Sequence, residues 1–308
     1  MVWLVYEKSA IFAAESQAQS SNLYIIINMK KSTYICVIGL SMLFCTGCGN
    51  KAAETGAMAV DSDSVGGTVL TEEAPVPEIK YDSVTYEVSD EWLEYNVKLV
   101  YPKEGPEDVV KNMRKAILAN FGLKQSTGEE DFKQVLVKDK KKHSAEAKSE
   151  IAELMEDMDD EYRTNHPKYG YSDEITLEYA APGYATFYSV GDDYRAGAHG
   201  MPWQYRFTID LKTGNQLKWA DIILPSAKGK LKPLLKRTLL EQYFENNEDY
   251  IDHFDIPGAE PALVENGVWF GYGAYEIAAY AAGMPECVIP YDKMNDFLTE
   301  EVKAIIKK

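Results

Sequence analysis

The chain has 308 residues, 45% of them hydrophobic and 26% charged, enough for one large globular domain or two modest ones. Its formal net charge of -17 excludes nucleic acid as a natural partner, because phosphate binding needs a basic surface. With 12% aromatic residues it is no disordered polymer, and its four cysteines do not form a disulfide framework: Cys36, Cys45 and Cys48 crowd one apolar segment and leave Cys287 alone.

The first informative segment runs from Met29 to Cys48. Met29-Lys30-Lys31 is a basic start, and Tyr34 to Phe44 is an uncharged apolar run, shorter than the roughly 20 residues a permanent span needs. Small residues then lead to Cys48, completing the three-part pattern of a secretory signal. Cys45-Thr46-Gly47-Cys48 resembles a bacterial lipobox, which implies cleavage before Cys48 and acylation of that residue. Residues 29–47 are therefore expected to be a signal peptide. Residues 1–28 precede it and read as an upstream extension, with translation beginning at Met29. From 48 to 79 the chain is rich in Ala, Gly, Ser, Thr, Asp and Glu without a periodic apolar face, the composition of a flexible tether.

Regular structure is expected from about Lys80. Ile79–Val88 and Trp92–Tyr101 alternate apolar and polar residues at strand period. Pro106-Glu107-Asp108 opens a helix with apolar Val110, Met113, Ile117 and Phe121, stopped by Gly122. A second helical stretch spans about Glu130 to Tyr162, with Ile151, Leu154, Met155, Met158 and Tyr162 on one face. Its basic run, Lys138 to His143, and its acidic run, Glu153 to Glu161, read as solvated surface, the less favoured reading being a patch that steers a ligand.

Strands follow at Ile175–Tyr179 and Tyr184–Tyr188 around the turn signal Pro182-Gly183, and at Tyr205–Asp210 before Lys212-Thr213-Gly214-Asn215. Trp219–Ile223 reads as a short helical turn. Pro233 suits the first turn of a helix reaching about Phe244, with Leu235, Leu239 and Tyr243 at helical spacing. Val268–Phe270 and Cys287–Ile289 read as strands, and one or two helices close the chain from Tyr291. Strands and helices arrive in blocks, which predicts an α+β fold with antiparallel sheet packed on helices.

Ala196-Gly197-Ala198-His199-Gly200, Asp210–Gly214, Tyr275–Gly283 and Val288-Ile289-Pro290-Tyr291 together resemble the DUF3298 family, the ectodomain type of the lysozyme-sensing anti-sigma factor RsiV. Ala279 stands where relatives commonly carry Pro. The strand-strand-helix start is similar in layout to the companion DUF4163 family, found beside polysaccharide deacetylases such as PdaC. On this resemblance, residues 80–200 are a DUF4163-like region and 201–308 a DUF3298 region. The resemblance implies a protein-binding ectodomain that is not itself catalytic, and it requires no cofactor.

The residues offer few reactive groups of their own. His199 lies in a Gly-Ala-His-Gly loop beside Asp192, Asp193 and Arg195, where a general base or metal ligand is feasible. The same glycines fit a tight turn, with the imidazole holding loop to strand. His253 lies between Asp252 and Asp255 and reads as a solvated loop residue; His143 and His166 read as surface residues. No Gly-x-Ser-x-Gly elbow occurs, Cys287 falls in an apolar strand, and Glu276 is expected to be paired by hydrogen bonds. Tyrosine is abundant, 21 in all, and eight fall between Tyr162 and Tyr205. Tyr is favoured both at interfaces and in strands.

The expectation is a lipid-anchored protein of the bacterial cell envelope that binds a lysozyme-like muramidase or a cell-wall glycan, with Tyr184, Tyr188, Tyr194 and His199 as ligand contacts. The alternative is an envelope hydrolase using His199 with its neighbouring carboxylates.

Overall fold

The computed structural model describes residues 78–156, 159–161 and 165–307. The proposed upstream extension, signal peptide, acylation site Cys48 and nearly all of the tether lie outside them, as do Met158 and Tyr162. The described residues belong to one compact unit.

Strand β1 (Lys80–Ser89) and strand β2 (Leu93–Glu104) form an antiparallel hairpin. Along β2, Leu93, Tyr95, Val97 and Leu99 are buried while Glu94 and Asn96 face solvent, the period-2 pattern of a strand with one wet face. Helix α1 (Glu107–Asn120) starts behind Pro106, with Glu107 and Asp108 at its positive end. It buries Val109, Met113, Ile117 and Leu118; Met113, Ile117 and the following Phe121 are buried as expected, and Val109 rather than Val110 begins the stripe. Helix α2 (Phe132–Glu156) covers most of the expected helical stretch, and Asp160 and Glu161 are helical as well.

Strands β3 (Tyr169–Ala181), β4 (Tyr184–Tyr194) and β5 (Met201–Asp210) complete a five-stranded sheet in chain order. The α+β class is as expected, but β2 and β3 pair in parallel. The crossover through α1 and α2 returns the chain to the same end of the sheet, which a tight hairpin cannot do. Since β5 is part of this sheet, a boundary at 200/201 runs through the β4–β5 hairpin.

A bulge between Leu177 and Tyr179 redirects β3. Leu177 packs with the α1–α2 core, whereas Tyr179 packs with a second core on the opposite side of the sheet. β4 divides its side chains likewise: Ala185 and Phe187 enter the first core and Tyr184 the second.

The second core belongs to the C-terminal elements. These are the short helix α3 (Trp219–Ile222), helix α4 (Lys228–Gln242), strands β6 (Ala262–Val264), β7 (Gly267–Gly271) and β8 (Glu286–Pro290), and helices α5 (Tyr291–Met294) and α6 (Glu300–Ile306). The three strands form an antiparallel sheet. α4 begins five residues before Pro233, which therefore lies inside it rather than in its first turn. Proline removes the donor to the Gly229 carbonyl, but both residues are exposed, so solvent can take that carbonyl.

Two buried threonines join the sheets. Thr186 Oγ1 donates to the Leu263 carbonyl at 2.5 Å, Thr208 Oγ1 accepts from the Leu263 amide at 2.8 Å, and the two hydroxyls lie 2.8 Å apart. Beside them Arg206 reaches Glu178 through Nε and Nη2 and Glu286 through Nη1, all within 2.9 Å. Its guanidinium lies over the rings of Tyr188 and Trp269.

Polar groups also penetrate the first core. Asp90 accepts from the Trp92 and Leu93 amides, from Ser144 and from Lys140, fastening α2 to the β1–β2 turn. Burial opposes its charge, yet these bonds hold the carboxyl well below the ordinary range. Asp139 accepts from Tyr95 Oη at 2.8 Å and lies 3.6 Å from His143 Nε2. Deeper still is Asp173, 4% exposed. Burial pushes its carboxyl up to about 7, against hydrogen bonds from Trp203 and Ser189 that favour ionisation.

Neither helical-region histidine is a free surface residue. His143 lies 4.0 Å from the Tyr171 ring, and His166 stacks on Trp92 at 4.9 Å. Their polar sequence neighbours concealed aromatic partners that only the crossover supplies.

Candidate functional site

The sequence segments at 196–200 and 275–283 meet. The β4–β5 loop carries His199, and the β7–β8 connection carries Tyr275 and Tyr280. His199 stacks on Tyr280, with ring centroids 3.9 Å apart and planes within 20°. Its Nδ1 lies 2.9 Å from the Gly200 carbonyl, which also accepts from Tyr280 Oη at 3.1 Å. Since a carbonyl only accepts, Nδ1 carries the proton there, and Nε2 accepts from Tyr275 Oη at 3.4 Å. Tyr275 and Tyr280 lie 5.3 Å apart.

Local structure fixes this arrangement. Tyr275 has φ +66° and Ala196 φ +57°, conformations that L residues seldom adopt without a surrounding frame. Glu276 supplies part of that frame, one carboxylate oxygen accepting from the Gly273 amide and the other from the Gly258 amide, each at 2.8 Å. Glu276 is thus hydrogen-bonded as expected. Beneath it, Ile277 and Ala278 are buried and Tyr272 Oη donates to the Asp255 carbonyl. Gly200 abuts Asp192, whose carboxylate oxygens lie about 2 Å from where a Cβ would project. Burial and neighbouring Asp193 raise the Asp192 carboxyl, and His199 nearby partly offsets this.

The result is an exposed aromatic face: Tyr275 is 53% exposed and His199 is open to solvent. Both sides of the His199 ring edge are engaged, by a carbonyl and a phenol. Such a surface offers π-faces, a phenol and an imidazole in fixed relation, suited to stacking and hydrogen bonding with a ligand.

The other expected contacts lie elsewhere. Tyr184 is 2% exposed, with its hydroxyl 3.3 Å from that of Tyr291, so it is a core residue and no ligand anchor. Tyr188 lies under Arg206 and donates to Gln204 Oε1 at 3.1 Å, placing it in the seam between the sheets. Tyr194 ends β4, half-buried beside Gly170. His253 is exposed in its loop. Cys287 is free and 3% exposed, its thiol pushed up to about 12 by burial and then by Glu286. Among the described residues no three His, Cys, Asp or Glu side chains are grouped to hold a metal ion. The residues missed as site candidates are Tyr275 and Tyr280; their five-residue spacing across an Ala-rich loop was the available signal.

Residues 215–292 match the model of the family described as "Protein of unknown function (DUF3298)". A solved DUF3298-family structure from Bacteroides fragilis is similar at TM-score 0.65 and 20% identity, covering 76% of this chain and 99% of that one. A DUF3298-family structure from Pseudomonas aeruginosa gives TM-score 0.45 at 15% identity, over 75% of this chain and 97% of that one. Comparison with curated proteins yields no match. Residues 215–292 are thus similar to the DUF3298 family, and the fold is shared with the solved B. fragilis protein.

Proposed function

We propose that the chain is a non-catalytic binding module of the bacterial cell envelope, anchored through acylated Cys48, whose His199–Tyr275–Tyr280 face receives a lysozyme-like muramidase or a cell-wall glycan. The observation that carries this reading is the exposed Tyr275 held at positive φ, with its hydroxyl on His199 and its ring beside Tyr280. A preorganised aromatic side chain loses little conformational freedom on binding. The net charge of -17 would speed encounter with a basic muramidase and make binding fall with salt.

The test is titration of acyl-free chain (Cys48→Ser) with lysozyme, with an unrelated protein of equal basic charge, and with soluble peptidoglycan fragments. Tyr275→Ala should weaken the specific complex by about 30-fold, the effect of losing an interface hot spot. Equal affinity for both basic proteins, with no glycan binding, overturns the reading. Hydrolysis of an envelope substrate, abolished by His199→Ala at unchanged melting temperature, would establish the hydrolase alternative. In cells, Cys48→Ser should release the chain from the membrane fraction once electrostatic attachment is stripped by a high-salt wash.

A further inference from the structure

The basic run of α2 has no part in the aromatic face, and the fold sorts its charges in an informative way. Residues 132–148 contain six lysines and two acids in a chain of net charge -17. Asp139 turns to Tyr95 and Lys140 to Asp90, both on the side of the helix that meets the sheet. Lys133, Lys138 and Lys141 are exposed, and none forms an ion pair among the described residues. Lys142 is 69% exposed, with only a loose 3.8 Å pairing to Glu146.

Lys133, Val137, Lys141 and Lys148 recur at helical spacing, with Lys138 and Lys142 flanking them. The stripe extends over about 23 Å at 1.5 Å per residue. Val137 lies within it at 37% exposure. Lysines three and four residues apart on a helix repel one another. Here the inner side of α2, through Leu136, Ile151 and the Lys140–Asp90 contact, keeps that repulsive stripe in place.

We infer that the solvent face of α2 is a docking face for a bilayer containing anionic phospholipid. A plane of negative headgroups relieves the repulsion, long lysine stems can lie along the interface, and an apolar side chain among them can enter it. The acids elsewhere on the molecule do not cancel the attraction, because salt screens charges beyond about 8 Å at physiological ionic strength. The inference draws on the envelope reading only for the presence of a membrane. It does not require an acyl chain.

The experiment uses the full chain carrying Cys48→Ser, so that failure of the anchor and failure of this face remain distinguishable. The protein is sedimented with vesicles of phosphatidylcholine alone and with vesicles in which part of it is replaced by phosphatidylglycerol. Binding is expected only to the anionic vesicles. Replacing Lys133, Lys138 and Lys141 together by Gln should lower affinity on the order of 100-fold at physiological salt. A triple of equal charge change on α4, Lys228→Gln/Lys230→Gln/Arg237→Gln, should change it less than about threefold on the same arithmetic. All six positions are exposed, and Lys141→Glu alone provides a second, milder probe. Equal loss in both triples, equal binding to neutral vesicles, no vesicle binding, or retention of full affinity by Lys141→Glu overturns the inference. So does tight capture of a soluble anionic polymer without vesicle binding.

Discussion

Asp173→Asn should make the protein more stable at pH 8 than the native chain by a margin absent at low pH. In the fold this carboxyl titrates near 7 because burial disfavours its charge, against an ordinary value of 3.8. Below about pH 4 both folded and unfolded chains are protonated at this position, and the residue is neutral in its effect. As pH rises from 4 toward 7, the unfolded chain releases the proton while the folded chain keeps it. Stability then falls by about 1.4 kcal/mol per pH unit and levels off above 7. The full penalty is about 4 kcal/mol, a large part of the 5–15 kcal/mol typical of a domain. Asn removes the charge but introduces an amide donor pair, and one unsatisfied buried donor costs about 1–3 kcal/mol. The absolute gain at pH 8 is therefore about 1–3 kcal/mol. The pH dependence is the cleaner quantity, because the amide cost does not vary with pH. Urea unfolding of both proteins at pH 5 and pH 8 should show the variant's relative advantage growing by about 3 kcal/mol. An advantage of equal size at both pH values would refute the assignment of a buried, late-titrating carboxyl.

Thr208→Val should cost about 1–3 kcal/mol by denaturant unfolding, since it leaves the buried Leu263 amide and Thr186 hydroxyl short of a partner; a loss below 0.5 kcal/mol would show that the seam repacks. Ala279→Pro should raise stability by about 0.4–1 kcal/mol, because Ala279 already has φ -60° and ψ 155°, within proline's range. A fall in melting temperature would count against that local geometry. Cys287 should resist a bulky thiol reagent in the native state and react promptly in denaturant, as a buried thiol with a raised pKa must.

The local pattern specified most of the elements. Pro106 with two acids marked the start of α1, the alternation along β2 marked its buried face, and Pro182-Gly183 marked the β3–β4 turn, where Gly183 adopts φ +114°. These signals act within a few residues and do not depend on what packs above them. For the same reason the pattern fixed the α+β class and the burial of Cys287 between flanking apolar residues.

What the tertiary structure decided was which surfaces meet. Alternation along β4 could not separate Tyr184, Tyr188 and Tyr194, because that strand has protein on both faces and each tyrosine meets a different neighbour. His199 stood out in the sequence, but its ring is defined by Tyr275 and Tyr280, about 80 residues away, which only the packing of the β7–β8 connection brings near. His143 and Asp139 looked solvated among lysines until the parallel β2–β3 crossover laid α2 over Tyr95 and Tyr171. Local sequence sets backbone preference over a few residues, whereas the site and the charged helix face arise from contacts between distant segments, and those exist only once the sheet has formed.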